Sequence, residues 1–206
     1  MNISVFASGK GTNFKAILDS IDKGYLRSKV TALFTDKAEC GAAKIAIENN
    51  IKCIQTGRKE FPTLTRKEFS GKILTALKET ETDFIVLSGY MNLIPDEVIQ
   101  EFRLRIINIH PALLPSFGGK GMYGINVHRA VIASGVKVSG ITVHFVNEYY
   151  DEGRIIFQKC CEIESDEDEY SLQEKIKDLE YEYYSFVIKK FEEEKVEIRN
   201  GKVFIN

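Results

Sequence analysis

Cysteine is scarce in this chain and poorly spaced for structural duty. Its 206 residues hold four, Cys40, Cys53, Cys160 and Cys161, with no CxxC pair among them. Cys160 and Cys161 are neighbours, which no usual zinc spacing allows. All four are therefore expected to be reduced thiols, not metal ligands or staples. An excess of one charge is also lacking, since 28 Lys and Arg face 30 Asp and Glu for a net charge of −2. That balance argues against a protein that coats nucleic acid or an anionic membrane. No apolar run approaches the ~20 residues that a bilayer-spanning helix needs. The opening residues, MNISVFASGKG, carry neither a basic segment nor a cleavable signal, so the chain is expected in the cytoplasm. What is present is ordinary for a globular protein: 44% apolar and 28% charged residues. A chain of this length buries ~70% of its unfolded surface, enough for a core without staples.

The first half alternates short apolar runs with helical periodicity. Residues 2–7, 29–35, 51–55, 83–87 and 105–109 read as buried strands. Between them, 13–22 carries Phe14, Ile17, Leu18 and Ile21 on one helical face, and 42–49 and 65–80 are further helices. Pro95 is expected at the first position of another, where its fixed φ is pre-set. Alternating βα units imply a doubly wound, mostly parallel α/β sheet of the Rossmann-like kind. Ligands in such sheets bind beyond the carboxyl ends of the strands, so functional residues are expected just after positions 7, 35, 87 and 109.

The second half has a different texture. Residues 110–126 are rich in Gly and Pro without periodicity, too long for a mere connector. A helix near 127–134 and strands over 138–146 and 154–163 follow. A long C-terminal helix spans about 168–194, with Leu172, Ile176, Leu179, Tyr183, Phe186 and Phe191 near one stripe. VEIRNGKVFI closes the chain as a hairpin, with Asn200-Gly201 supplying a type I′ turn. The acidic cluster at 162–169 is a solvated face plus favourable charge at a helix N-terminus. One domain over 1–206 is expected, with halves at 1–110 and 111–206.

Three loops carry chemistry. Ser8-Gly9-Lys10-Gly11-Thr12-Asn13 joins the first strand to the first helix, where two glycines let main-chain N–H groups approach an anion at the helix's positive end. It is neither a Walker A loop nor a dinucleotide fingerprint, because Phe14 stands where the third glycine belongs. Alone, it reads as a phosphate cradle or as a tight turn with Thr12 as helix N-cap. In NIHPALLP, Asn108 and His110 alternate at a strand end and so point the same way. An amide donor beside an imidazole suits carbonyl chemistry, one stabilising an oxyanion and the other moving a proton; a strand-end histidine bonded to main chain is the plain alternative. Asp151 lies in a turn before Gly153, and it matters only if it sits near His110, where its charge would favour the imidazolium. His128 is expected at the surface and His144 buried and hydrogen-bonded; the three histidines are too dispersed for a metal triad.

Together SGKGTN, NIHPALLPSF and GITVHFVNEYYDEGRIIFQ, in this order and at these separations, resemble the phosphoribosylglycinamide formyltransferase family over residues 1 to about 195. NIHPALLP with the later aspartate is shared across the formyltransferase superfamily; SGKGTN so near the start narrows it. The resemblance implies transfer of a formyl group from 10-formyltetrahydrofolate to the glycyl amine of glycinamide ribonucleotide, with no metal. It implies that Gly11, Thr12 and Asn13 cradle the phosphate and that Lys177, Asp178, Leu179 and Glu180 contact the ribonucleotide. Asn108, His110 and Asp151 would be oxyanion stabiliser, proton donor and pKa modulator. Arg66, Met91, Asn92, Leu93, Ile94 and Asn108, with Asn147, Glu148, Tyr149, Tyr150 and Asp151, would hold the folate. Asn92 departs from the family's frequent Arg, and 118–126 is longer and richer in glycine than in many relatives. The implied partners are these two small molecules, without nucleic acid or membrane, for a monomer or homodimer. Two rival readings are a formyltransferase acting on another amine and a dinucleotide-dependent oxidoreductase using Asp36 for a ribose; the missing third glycine weighs against the latter.

Overall fold

A computed structural model describes residues 1–206, in two compact units, 1–107 and 108–206. The chain runs β1 (Asn2–Phe6), α1 (Thr12–Asp22), β2 (Lys29–Thr35), α2 (Gly41–Glu48), β3 (Lys52–Gln55), α3 (Arg66–Glu79), β4 (Phe84–Leu87), α4 (Asp96–Glu101) and β5 (Ile106–His110). It continues with α5 (Ile125–Ser134), β6 (Val138–Phe145), β7 (Ile155–Glu162), α6 (Glu169–Glu192), β8 (Val196–Arg199) and β9 (Lys202–Ile205). Strand order is β3-β2-β1-β4-β5-β6-β7 in one sheet, with β8-β9 as a separate ribbon. The parallel pairs β1–β2, β1–β4 and β2–β3 match the winding expected from the alternation, and β6–β7 is antiparallel. No helix is long and apolar enough to cross a membrane, and all four cysteines are free.

The first unit is held by strands buried on both faces. Ile3, Val5, Phe6, Leu33 and Phe34 are wholly inaccessible. The Phe6 ring stacks on Phe34 at 4.6 Å between centroids and meets Tyr90 edge-on at 5.3 Å. Each such side chain removed from water contributes ~1.5–3 kcal/mol. α3 begins with a complete capping box, in which Thr65 accepts from the Glu68 N–H and Glu68 reaches back to Thr65.

The sequence reading needs four corrections. Pro95 is the N-cap of α4, not its first helical residue. The N-cap of α1 is Gly11, at φ 78°, and Thr12 is already helical. β5 extends to His110, so that residue ends the strand instead of following it. The buried face of α6 consists of Leu172, Ile176, Tyr184, Ser185, Val187 and Ile188. Tyr183 and Phe186 stay half-buried because they lie against Phe157 of β7, at 5.3 and 5.5 Å between centroids, and Phe191 meets Phe145 at 5.9 Å. At the C-terminal ribbon, Asn200 and Gly201 have φ of 50° and 76°, both positive as a type I′ turn requires.

Candidate active site

In the second unit, two strand ends and one turn assemble a cluster of four side chains. β5 presents Asn108 and His110, β6 presents His144, and the turn after β6 presents Asp151. Asp151 Oδ2 lies 3.5 Å from His110 Nδ1, and Oδ1 lies 3.6 Å from His144 Nε2. Asp151 itself is held at φ 57°, and its Oδ2 accepts the Gly119 N–H at 2.8 Å. Gly153 permits the tight turn, because a Cβ there would collide with the Phe145 carbonyl oxygen.

The hydrogen bonds fix the tautomers. A carbonyl oxygen only accepts, so His144 Nδ1, 2.8 Å from the Phe145 oxygen, carries the proton. The atom of Asn108 that sits 3.1 Å from Nε2 is the amide nitrogen, which donates to the Nε2 lone pair. His144 thus turns the Asn108 NH₂ group and leaves its second hydrogen to point elsewhere. By the same logic, His110 Nε2 donates to the Phe117 oxygen at 2.8 Å, and any second proton enters at Nδ1, facing Asp151.

Burial pulls the His110 pKa below its ordinary value, although Asp151 and the Phe117 carbonyl push it upward. Asp151 therefore acts in the direction expected of it, yet the net shift is downward. For Asp151, burial pushes upward, but the neighbouring His144 and His110 rings and the Gly119 N–H outweigh it and hold the carboxyl below its usual range. The segment between β5 and α5 is tied down by Thr142 of β6, whose Oγ1 donates to the Ala112 oxygen at 2.7 Å and accepts the Leu114 N–H at 3.0 Å. Gln158 adds a bond to the Leu114 oxygen at 2.9 Å.

In the first unit, the Gly9–Asn13 loop lies beyond the carboxyl end of β1. No side chain caps α1, so its first-turn N–H groups have no side-chain partner. Gly11 packs onto α2, where a Cβ would lie 2.7 Å from the Ala42 Cα. Asn13 Oδ1 is buried without a hydrogen-bond partner. Ser8 Oγ accepts the Met91 N–H at 3.0 Å, and Asn92 Nδ2 donates to Asp36 Oδ2 at 2.9 Å. Met91, Asn92 and Leu93 are exposed beyond β4, whereas Ile94 is buried. Arg66 is the first residue of α3.

The remaining sequence candidates lie in the second unit. The Asn147–Asp151 turn is closed by Asn147 Oδ1 accepting the Tyr149 N–H at 3.2 Å, with Tyr149 and Tyr150 exposed. Lys177, Asp178, Leu179 and Glu180 occupy the middle of α6, and Lys177 pairs with Glu174. His128 was expected at the surface; it is buried on α5 instead, because α5 packs against α6. The sequence reading missed His144 as part of the cluster. Its one available signal was the two-residue alternation with Thr142, which puts both on the face turned to the segment after β5. No group of three or more His, Cys, Asp and Glu side chains is arranged to hold a metal ion.

Comparison with known proteins agrees with this geometry. Residues 1–188 match the formyl transferase family model. A chloroplastic phosphoribosylglycinamide formyltransferase of Vigna unguiculata is 42% identical over 98% of this chain, which spans 64% of that relative's length. The Bacillus subtilis phosphoribosylglycinamide formyltransferase is 36% identical over 90% of this chain and 92% of its own. Among solved structures, glycinamide ribonucleotide transformylase 1 from Symbiobacterium toebii superposes with a TM-score of 0.90 at 32% identity, covering 100% of this chain and 93% of that one. With the family model matched over most of its length and near-complete relatives above 30% identity, this chain belongs to the formyl transferase family, among its phosphoribosylglycinamide formyltransferases.

Proposed function

We propose that the chain transfers the formyl group of 10-formyltetrahydrofolate to the glycyl amine of glycinamide ribonucleotide. The observation that carries this reading is the Asn108–His144–Asp151–His110 cluster, in which an amide NH₂ and an imidazole are each oriented by a bonded neighbour. In the reaction a bond forms between the amine nitrogen and the formyl carbon, and the bond from that carbon to the folate nitrogen breaks. The proton lost by the amine ends on the nitrogen that leaves. Negative charge grows on the formyl oxygen meanwhile, and the free hydrogen of the Asn108 amide stabilises it; His110 adds a second donor once its Nε2–H turns from the Phe117 oxygen. A donor of this kind is worth ~3–4 kcal/mol of barrier. Asp151 favours the proton on His110 and offsets part of the pull of burial.

The co-substrate brings an already activated formyl group, so no metal is needed. Met91, Asn92, Leu93 and Ile94, together with Asn147 to Asp151, would hold it; exposed Met91, Leu93, Tyr149 and Tyr150 suit a flat ring system. Arg66 would meet its acidic tail. Gly11, Thr12 and Asn13 would cradle the 5′-phosphate on the uncapped N-terminus of α1, and Lys177 to Glu180 would contact the rest of the ribonucleotide. The enzyme works as one domain in the cytoplasm, as a monomer or homodimer, on these two small molecules without nucleic acid or membrane. Incubation with both substrates should give formylated ribonucleotide and tetrahydrofolate; purified protein that consumes neither would overturn the reading.

A further inference from the structure

Ser8 belongs by sequence to the candidate phosphate loop, yet its bonds run to the segment beyond β4. It lies two residues past β1 and is buried. Its N–H donates to the Gly89 oxygen at 3.1 Å, and its Oγ accepts the Met91 N–H at 3.0 Å. From Gly89 to Leu93 no other main-chain group is bonded within the chain. The main-chain groups of Tyr90, Asn92 and Leu93 are thus left for a ligand or for water, on a segment where Met91 and Leu93 are exposed.

Two side chains of the segment are held separately. Tyr90 Oη lies 3.1 Å from Thr56 Oγ1, just past β3, and Asn92 Nδ2 donates to Asp36 Oδ2 at 2.9 Å, just past β2. The segment is therefore pinned from the ends of three neighbouring strands, but the pins are not equivalent. Thr56 and Asp36 fix the tips of side chains, which leaves the main chain between them free to shift. Ser8 fixes the main chain itself. A flat ligand read by main-chain groups needs that backbone set in advance, because ordering it on binding costs affinity.

We propose that Ser8 is a positioning residue for the folate co-substrate, its hydroxyl setting the main chain at Met91, and not a member of the phosphate cradle. The inference rests on the formyl-transfer reading and deepens it, since a residue of the SGKGTN loop then serves the other substrate. Ser8→Ala should raise the KM for 10-formyltetrahydrofolate at least fivefold and weaken its binding, titrated calorimetrically without acceptor, in step. The KM for glycinamide ribonucleotide should stay within twofold. The gain in melting temperature from inorganic phosphate should equal that of wild type. Exchange of the Met91 amide hydrogen should quicken at least 10-fold in Ser8→Ala and stay within threefold in Asp36→Ala. Ser8→Cys keeps the shape with a weaker acceptor and should fall between wild type and Ser8→Ala.

Wild-type protein that neither binds 10-formyltetrahydrofolate nor passes its formyl group on overturns the formyl-transfer reading, and this inference with it. A competent wild type with Ser8→Ala within twofold of it in folate KM overturns this inference alone. So does loss of the phosphate-induced gain in melting temperature, which would place Ser8 in the cradle. Equal rises in both KM values with a lower melting temperature and no recovery in Ser8→Cys would also overturn it, making Ser8 a packing residue.

Discussion

The two units offer a ligand different physical means of being held. Beyond β1 in the first unit, the candidate phosphate loop is made of main chain: Gly11 at positive φ and packed on α2, and an uncapped helix N-terminus. At the ends of β5 and β6 in the second unit, the work falls to side chains, each oriented by another. A main-chain site depends on conformation and tolerates most side chains that preserve it. A side-chain site depends on identity, because removing one member leaves its neighbour misdirected. Substitutions in the two regions should therefore fail in different ways.

The largest effects are expected in the side-chain cluster. Asn108→Ala and His110→Ala should each lower turnover by ~10²–10³-fold, the usual loss for one donor to a developing oxyanion. Circular dichroism should remain native, because neither removes core volume on the scale of Phe6 or Phe34. Near-wild-type turnover in either variant would move that residue out of the chemistry. The double variant should lose less than the product of the single losses, since the two act on the same charge.

Asp151→Asn comes next, and its sign can be worked out. The Asp151 charge raises the His110 pKa, although burial holds the net value below normal. Without that charge the pKa falls further, and each unit corresponds to ~1.4 kcal/mol between protonation states. Less His110 is then protonated at neutral pH, so activity should fall by about tenfold there. The alkaline limb of the pH–rate profile should move to lower pH. NMR titration of the His110 ring in both proteins measures the shift directly. Stability carries a second sign: the Asp151 carboxyl is held below its unfolded value, so its contribution is present above that value and lost as pH falls through the folded one. The Asn variant should lack this acid-side loss.

In the main-chain region the expected failure is one of affinity. Gly11→Ala puts a Cβ at φ 78° and 2.7 Å from the Ala42 Cα, so the loop must shift or stay strained by ~1–3 kcal/mol. The KM for the phosphorylated substrate should rise several-fold, while kcat at saturation changes less. A purely catalytic loss with unchanged KM would contradict a cradle built from main chain.

The same division explains what could be read from the sequence. Parallel winding and the Asn200-Gly201 turn were visible because each follows from patterns within a few residues. Asn108 and His110 were legible from alternation in a short strand. Invisible were the partners: His144 lies 36 residues from Asn108, and Asp151 reaches Gly119 across 32. The burial of His128 was misjudged for a related reason, since it depends on α6 lying over α5. So was the stripe on α6, where Phe157 and Phe145 draw Tyr183, Phe186 and Phe191 to the flank. Local periodicity reports that a helix has an apolar side, not which neighbour will share it.

The smallest expected effect separates the two kinds of helix start. Asp168 caps α6 through bonds from the Tyr170 and Ser171 N–H groups, at 2.9 and 2.8 Å, and Ser171 completes the box. Asp168→Ala should cost ~1 kcal/mol of stability, the usual loss for such a cap. Thr12 occupies what looks in the sequence like the equivalent place on α1, but Gly11 is the N-cap there and no side chain bonds the first turn. Thr12→Ala should therefore change stability by less than ~0.5 kcal/mol, as expected for a side chain that caps nothing. A thermal melt of both variants in phosphate-free buffer reads this difference without reference to activity. Adding inorganic phosphate then tests what the uncapped amides are for. Wild type and Thr12→Ala should both gain in melting temperature and Gly11→Ala should gain less, because an anion on main-chain N–H groups is stabilised by their geometry and not by the Thr12 hydroxyl. If Thr12→Ala instead destabilises as much as Asp168→Ala, its hydroxyl caps α1 in solution, and the first turn has no free donors to offer a phosphate.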